Sequence, residues 1–344
     1  MFCVSIPDTS HVYTLAQRPS GTPTPSDFSF ETRKTPEPAS GEALIRTCYL
    51  SVDPYMRGRM RAGESYAEPW DIGAPLEGGV VGEVVASNGS EVEVGDVVTG
   101  NLQWAEFATA SASELTPVDP DRAPLSAYLG VLGMPGTTAY FGVNEVAKPR
   151  AGETFVVTGA AGAVGSVAGQ IAALNGARVV GFAGTDEKVE FLKDKLGFDA
   201  AINYATTDDY AAALDEAAPA GIDSYFDNVG GEITDAVFSK LNIDARVAVC
   251  GQIASYNATE LPTGPRKLST LIEKRATVEG FLVNDFQTRF ETATRQLGEW
   301  IETGEIQYRE TVTDGLENAP DAFIGLFEGD NIGKQVVKIA EPKL

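Results

Sequence analysis

Gly159, Gly162 and Gly165 stand three residues apart in FVVTGAAGAVGSVAGQIAALN (residues 155–175), between a β-branched run and a stretch of small helix formers. A strand that ends in a turn without side chains and then opens a helix presents bare N–H groups and a positive dipole end to an anion. The chemistry this spacing supports is the binding of a dinucleotide pyrophosphate. Close helix–strand packing is the other use of the same glycines. A second apolar run at residues 178–182 follows at the distance of a βαβ unit, which favours the nucleotide. Two further strand ends carry polar groups where an open parallel sheet binds its ligands. DNVGG follows Phe226, and CGQIASY follows Val249. Asn228 is thus a candidate contact, with capping of the helix that begins near Glu232 as its alternative. Tyr256, six residues past Cys250, is a candidate proton donor, because a phenol with a reference pKa of about 10 stays protonated at neutral pH. Its alternative role is an aromatic lid packed on the cofactor.

The end of the second strand bears on which dinucleotide binds. NAD enzymes place an acid there for the ribose hydroxyls. Here the strand runs into Ala183, Gly184 and Thr185, which leaves room for a 2′-phosphate, and Lys188 follows within one turn. Asp186 and Glu187 are also close and count against this. The balance favours NADP(H).

Other chemistries lack their residues. Zinc needs three or four convergent ligands, and the chain has one histidine, His11, and three scattered cysteines, Cys3, Cys48 and Cys250. No metal is expected. A serine-hydrolase triad fails for want of a base and of a G-x-S-x-G turn. Any proton must come from Tyr, Lys, a carboxyl group or water.

The 344 residues suffice for two domains, and 43% hydrophobic and 9% aromatic content is that of a folded chain. With 26 basic and 49 acidic residues the net charge is −23. That argues against nucleic acid and anionic membranes as partners. Acids spread along the whole chain suggest a surface suited to a salt-rich cytoplasm, an ordinary acidic protein being the alternative. Odd, dispersed cysteines, no apolar signal-peptide core and no run of membrane-spanning length point to a cytoplasmic protein.

These residues need a scaffold to place them. Residues 1–129 read as β-rich, with strands at 12–15, 43–50, 79–86 and 96–99, and the Pro-, Ser- and Thr-rich segment 21–40 reads as a surface connection. Residues 129–143 are apolar with helical spacing, interrupted at Met134-Pro135-Gly136. From residue 154 strands and helices alternate, which predicts a doubly wound parallel sheet in an α/β protein. The tail, 308–340, mixes strand and helix and is expected to rejoin the first domain.

Five blocks carry a resemblance: LSVDPYMR (50–57), GMPGTTAYFG (133–142), AAGAVGSVAGQ (160–170), YFDNVGG (225–231) and GDNIGK (329–334). In this order they resemble the zinc-independent branch of the medium-chain dehydrogenase/reductase superfamily. Within it they are similar to the prostaglandin reductase group, also known as leukotriene hydroxydehydrogenases or alkenal double-bond reductases. The resemblance implies a chaperonin-10-like β-barrel domain made of residues 1–129 and 308–344, with a Rossmann NADP-binding domain, 130–307, inserted. It implies NADPH bound by Gly162, Ala163, Val164, Gly165, Lys188, Tyr204, Asn228, the segment 250–256 with Cys250, Gly251, Ser255 and Tyr256, then Phe281, Leu282, Val283 and Asn331. It also implies a homodimer joined through the sheet edges of the nucleotide domains. The segment 58–76, which lines the substrate pocket in such folds, matches no one member closely.

The expected activity is NADPH-dependent reduction of the C=C bond of α,β-unsaturated ketones or aldehydes, with hydride going to the β-carbon. Tyr256 is the first candidate to donate to the developing enolate oxygen and Tyr55 the second. Quinone reduction on the same scaffold and a non-catalytic NADPH-binding protein are the alternatives.

Overall fold

The computed structural model describes residues 6–63, 65–89 and 91–342, so Cys3 lies outside the described residues. The chain begins with strands β1 (Thr9–Leu15), β2 (Phe28–Lys34), β3 (Glu42–Ser51), β4 (Glu77–Ser87), β5 (Val97–Gln103), β6 (Phe107–Ser111) and β7 (Thr116–Pro117). A second series follows: β8 (Thr154–Val157), β9 (Arg178–Ala183), β10 (Ala200–Asn203), β11 (Ile222–Asp227), β12 (Leu241–Val249) and β13 (Thr277–Gly280). It ends with β14 (Glu310–Asp314) and β15 (Lys334–Lys338). One unit comprises Met1–Leu129, Thr311–Asp330 and Gln335–Leu344; the other comprises Gly130–Glu310 and Asn331–Lys334.

The first unit is built on a seven-stranded sheet in the order β14-β15-β3-β4-β5-β7, with β6 added on β3. The long strand β3 serves β6 with its first half and β15 with its second, both antiparallel. Two register shifts against β4, between Leu44 and Ile45 and between Thr47 and Tyr49, bend the pair, since each bulge adds local twist. The inward residues Ile45, Leu50, Val80 and Val84 are fully buried and meet Trp104, Trp70 and Phe323. Trp104 packs edge-on against both Trp70 and Phe323, so the C-terminal helix Ala319–Glu328 is part of this core.

Segment 21–40 is not only a connection. Its centre, FSFETRK, is strand β2, paired residue by residue with β1 from Thr9–Lys34 to Leu15–Phe28. Composition hides the strand because β2 has one buried side chain, Phe28, and its stability comes from backbone pairing plus Phe30 stacked on His11.

The second unit holds a six-stranded sheet in the order β10-β9-β8-β11-β12-β13. Every pair is parallel. This is the doubly wound order with its switch point between β8 and β11. The four residues of β8, TFVV, are all buried, as strands covered on both faces must be. Helix Gly165–Leu174 is buried from Gly165 through Ala172. Pro135 does not interrupt a helix here. It sits in the first turn of helix Met134–Phe141, where a missing N–H costs nothing and the fixed φ is already helical.

Candidate cofactor site

The glycines of the turn differ in what the fold asks of them. A methyl group on Gly165 would lie 2.3 Å from the Gly159 carbonyl oxygen and 2.9 Å from Ala160 Cα. This glycine is therefore required by the packing of helix Gly165–Leu174 on the end of β8. A methyl group on Gly162 would meet only the Gly159 oxygen, at 3.2 Å, so the fold itself asks less of that position. The C-terminal segment reaches the same turn: Gly333 N donates to Ala161 O at 2.7 Å, and Gly162 and Gly333 form a parallel bridge. Asn331, whose Nδ2 donates to Gly333 O at 2.7 Å, belongs to the segment that thereby reaches the turn from far along the chain.

At the end of β9, Tyr204 N donates to Ala183 O at 2.9 Å, and the Tyr204 hydroxyl comes so close to Gly184 that a methyl group there would sit 2.5 Å from it. Thr185 caps the next helix by accepting from Lys188 N at 3.2 Å, which turns Lys188 into the same neighbourhood with only 9% of its surface exposed. The two acids that argued against a phosphate are engaged elsewhere. Asp186 accepts from Asn203 Nδ2 at 2.7 Å, and Glu187 lies 3.8 Å from the Arg309 guanidinium. Nothing in the sequence pointed to Arg309, which is distant in the chain and follows no motif.

The ends of β11 and β12 are tied together. Asn228 does not cap the helix Gly231–Ser239, whose N-cap is Gly230. Its amide group donates to Thr158 O at 2.7 Å and its backbone N–H to Thr158 Oγ1 at 2.9 Å, joining β11 to the base of the glycine turn. Cys250 N and Gly251 N both donate to Asp227 O, at 2.9 and 3.0 Å. Burial, and after it the Asp227 carboxylate, pushes the Cys250 thiol up to about 12, so it is a neutral thiol at neutral pH. Ser255 Oγ donates to Gln252 O at 2.9 Å. Tyr256 closes the short helix Ile253–Tyr256, and its hydroxyl accepts from Gln252 N at 3.2 Å. Burial raises the Tyr256 phenol above its ordinary value, partly offset by that hydrogen bond. The phenol therefore stays protonated at neutral pH.

Phe281 divides its role. Its ring packs edge-on against Phe226 and Phe286, and Leu282 beside it is 42% exposed. The ring anchors the segment, while Leu282 and Val283 follow on from the carboxyl end of β13. Tyr55 belongs to the other unit, at the N-terminus of the short helix Met56–Arg59. Burial first, and the Asp53 carboxylate second, raise its phenol. Among the described residues no group of three or more His, Cys, Asp or Glu is arranged to hold a metal ion.

The turn fits a dinucleotide phosphate: a side chain at Gly165 is excluded, Gly162 leaves the turn open, and a buried lysine stands at the second strand end. The comparisons agree. A family model described as the N-terminal domain of oxidoreductase matches residues 11–118, and one described as zinc-binding dehydrogenase matches 163–299. The chain is 46% identical over 333 residues to the NADPH-dependent curcumin reductase of Escherichia coli, covering 95% of this chain and 96% of that one. It is 45% identical over 309 residues to the NADP(+)-dependent 2-alkenal reductase of Nicotiana tabacum, covering 89% and 90%. CurA from Vibrio vulnificus in complex with NADPH superposes with a TM-score of 0.92 at 46% identity, over 96% of this chain and 100% of that one.

Proposed function

The chain belongs to the zinc-independent medium-chain dehydrogenase/reductase superfamily, in the group of the alkenal and prostaglandin reductases, and on that premise we propose how its residues serve the reduction of activated C=C bonds. It is an NADPH-dependent oxidoreductase acting on α,β-unsaturated ketones and aldehydes. The observation that carries this reading is the match of two NADP(H)-dependent reductases of this type across 89% or more of the chain.

When bound, NADPH supplies the hydride for the β-carbon of the enone. The chain supplies the rest. The turn around Gly162, Ala163, Val164 and Gly165 seats the pyrophosphate, with Asn331 beside it. Lys188 and Tyr204 take the 2′-phosphate. Asn228, Cys250, Gly251 and Ser255, with the backbone of Phe281, Leu282 and Val283, line the nicotinamide half. Tyr256 donates a hydrogen bond to the oxygen on which negative charge develops, directly or through a ribose hydroxyl, and Tyr55 is the second candidate. Donors held in place before the charge appears are worth more than mobile water. The nucleotide unit carries the cofactor, and the β-rich unit, through residues 58–76, selects the substrate.

A homodimer is supported by the edge strand β13, all four of whose residues are exposed, next to Leu268 and Ile272 at 75% and 81% exposure. An open strand edge flanked by apolar side chains invites pairing with a second copy. Among the described residues the free thiols Cys48 and Cys250 suit a reducing cytoplasm. No helix of the described residues is long and apolar enough to cross a membrane.

The experiment is NADPH oxidation against a panel of enones, enals and naphthoquinones, with product analysis. The expected product has a saturated C=C bond and an intact carbonyl. Turnover of quinones alone would transfer the chain to quinone reduction, and NADPH binding without turnover of any panel member would leave a binding protein.

A further inference from the structure

The Asp227 carboxyl group at the end of β11 is 1% exposed and, among the described residues, is held by neutral donors only. Its Oδ1 accepts from Tyr225 OH at 2.8 Å, Gly230 N at 2.8 Å, Val229 N at 3.0 Å and Thr158 Oγ1 at 3.1 Å. Its Oδ2 accepts from Thr234 Oγ1 at 2.8 Å and Gln252 Nε2 at 2.9 Å. Backbone amides thus meet one oxygen and the Gln252 amide the other. Gln252 reaches it across the Val229–Gly230 turn, where φ is +76° at Gly230 and a methyl group would sit 2.1 Å from Gln252 Oε1. The same Gln252 donates its backbone N–H to the Tyr256 hydroxyl.

A buried polar group is costly unless its hydrogen bonds are complete, and a core of this size has cheaper ways to end a strand. The strand order gives this one a location: β9, with Lys188 and Tyr204, lies on one side of β8, while β11 and β12 lie on the other. The switch point thus separates the adenosine half from the nicotinamide half. We propose that Asp227, acting through Gln252, is the positioning residue of the nicotinamide half, locking the Asn228–Gly230 turn to the segment that carries Gly251, Ser255 and Tyr256. This rests on the cofactor and activity assigned above.

The test uses Gln252→Leu, Asp227→Asn and the exchange Asp227→Asn with Gln252→Glu, which swaps donor for acceptor across the contact and keeps the net charge. Three constants are read: affinity for adenosine 2′,5′-bisphosphate, affinity for NADPH, and kcat at saturating cofactor and enone. Losing a buried hydrogen bond predicts that the two single variants keep bisphosphate affinity within about twofold, bind NADPH about tenfold more weakly and lose about tenfold in kcat. The exchange restores most of both. The proposal fails if bisphosphate affinity falls as far as NADPH affinity, if no constant moves, or if the exchange restores nothing. Should Asp227→Asn not fold, Gln252→Leu decides alone, because it leaves the other five donors on Asp227. Neither binding measurement needs an enone, so a chain that reduced no enone would overturn the activity and still answer this question.

Discussion

Lys188 and Tyr256 carry the sharpest expectations at the scale of single residues. Lys188 is 9% exposed, and on the proposed reading its ammonium group pairs with the 2′-phosphate. Lys188→Ala is expected to weaken NADPH binding by about 1–3 kcal/mol, the range for a lost charge-assisted contact, and to leave NADH affinity unchanged. Parallel titrations with the two cofactors check it, and equal losses would assign Lys188 to packing. Tyr256→Phe removes only a hydroxyl. If that hydroxyl donates to the developing enolate, kcat falls by roughly 10- to 1,000-fold while NADPH affinity holds. Because burial raises this phenol, the wild-type rate should hold through neutral pH and fall only above the ordinary phenol range of about 10. An unchanged kcat in the variant would make the ring a lid and turn attention to Tyr55.

At the scale of elements, the glycine turn separates two demands that one motif merges. Helix Gly165–Leu174 can approach β8 only because Gly165 has no side chain, and overpacking against backbone costs typically about 1–3 kcal/mol. Gly165→Ala is therefore expected to lower Tm. Gly162→Ala asks the Gly159 carbonyl to give by a few tenths of an ångström, so its Tm should stay near wild type while NADPH affinity falls. Thermal melts with and without NADPH read both effects. A matching drop in Tm for the two variants would mean that Gly162 also serves packing. Helix Phe290–Glu302 shows the same economy of position: Ala293 and Leu297, one turn apart, are its buried residues, and the Phe141–Phe286 stack at 4.7 Å holds the segment before it.

For the whole molecule the net charge of −23 is the dominant electrostatic fact. Like charges spread over a folded surface repel, and the Debye length falls from about 10 Å at 0.1 M salt to about 3 Å at 1 M. If the surface is suited to high salt, Tm is expected to rise steadily between dilute buffer and molar potassium chloride. A flat Tm across that range would make the acidity ordinary. Local pairs such as Arg46 with Glu83 at 2.7 Å and Arg289 with Glu145 at 2.7 Å cannot offset an excess of acids of this size.

By itself the sequence determined what depends on short-range order. The glycines at 159, 162 and 165, the β-branched runs of β3, β4, β8 and β9, and the alternation after residue 154 are local patterns, and each reports its element because side-chain period and turn chemistry act over a few residues. Tertiary structure decided what depends on partners far away in the chain. Strand β2 is legible only beside β1, because its stability lies in backbone pairing. From its own segment Asn331 reads as a tail residue, singled out by the family resemblance alone, until Gly333 meets Ala161. Asp227 looks like the end of a strand, and it becomes a hub only when Thr158 and Gln252, 69 and 25 residues away, fold onto it. A hydrogen bond is fixed by the position of two atoms in space, and no periodicity in one segment encodes where the other segment will arrive.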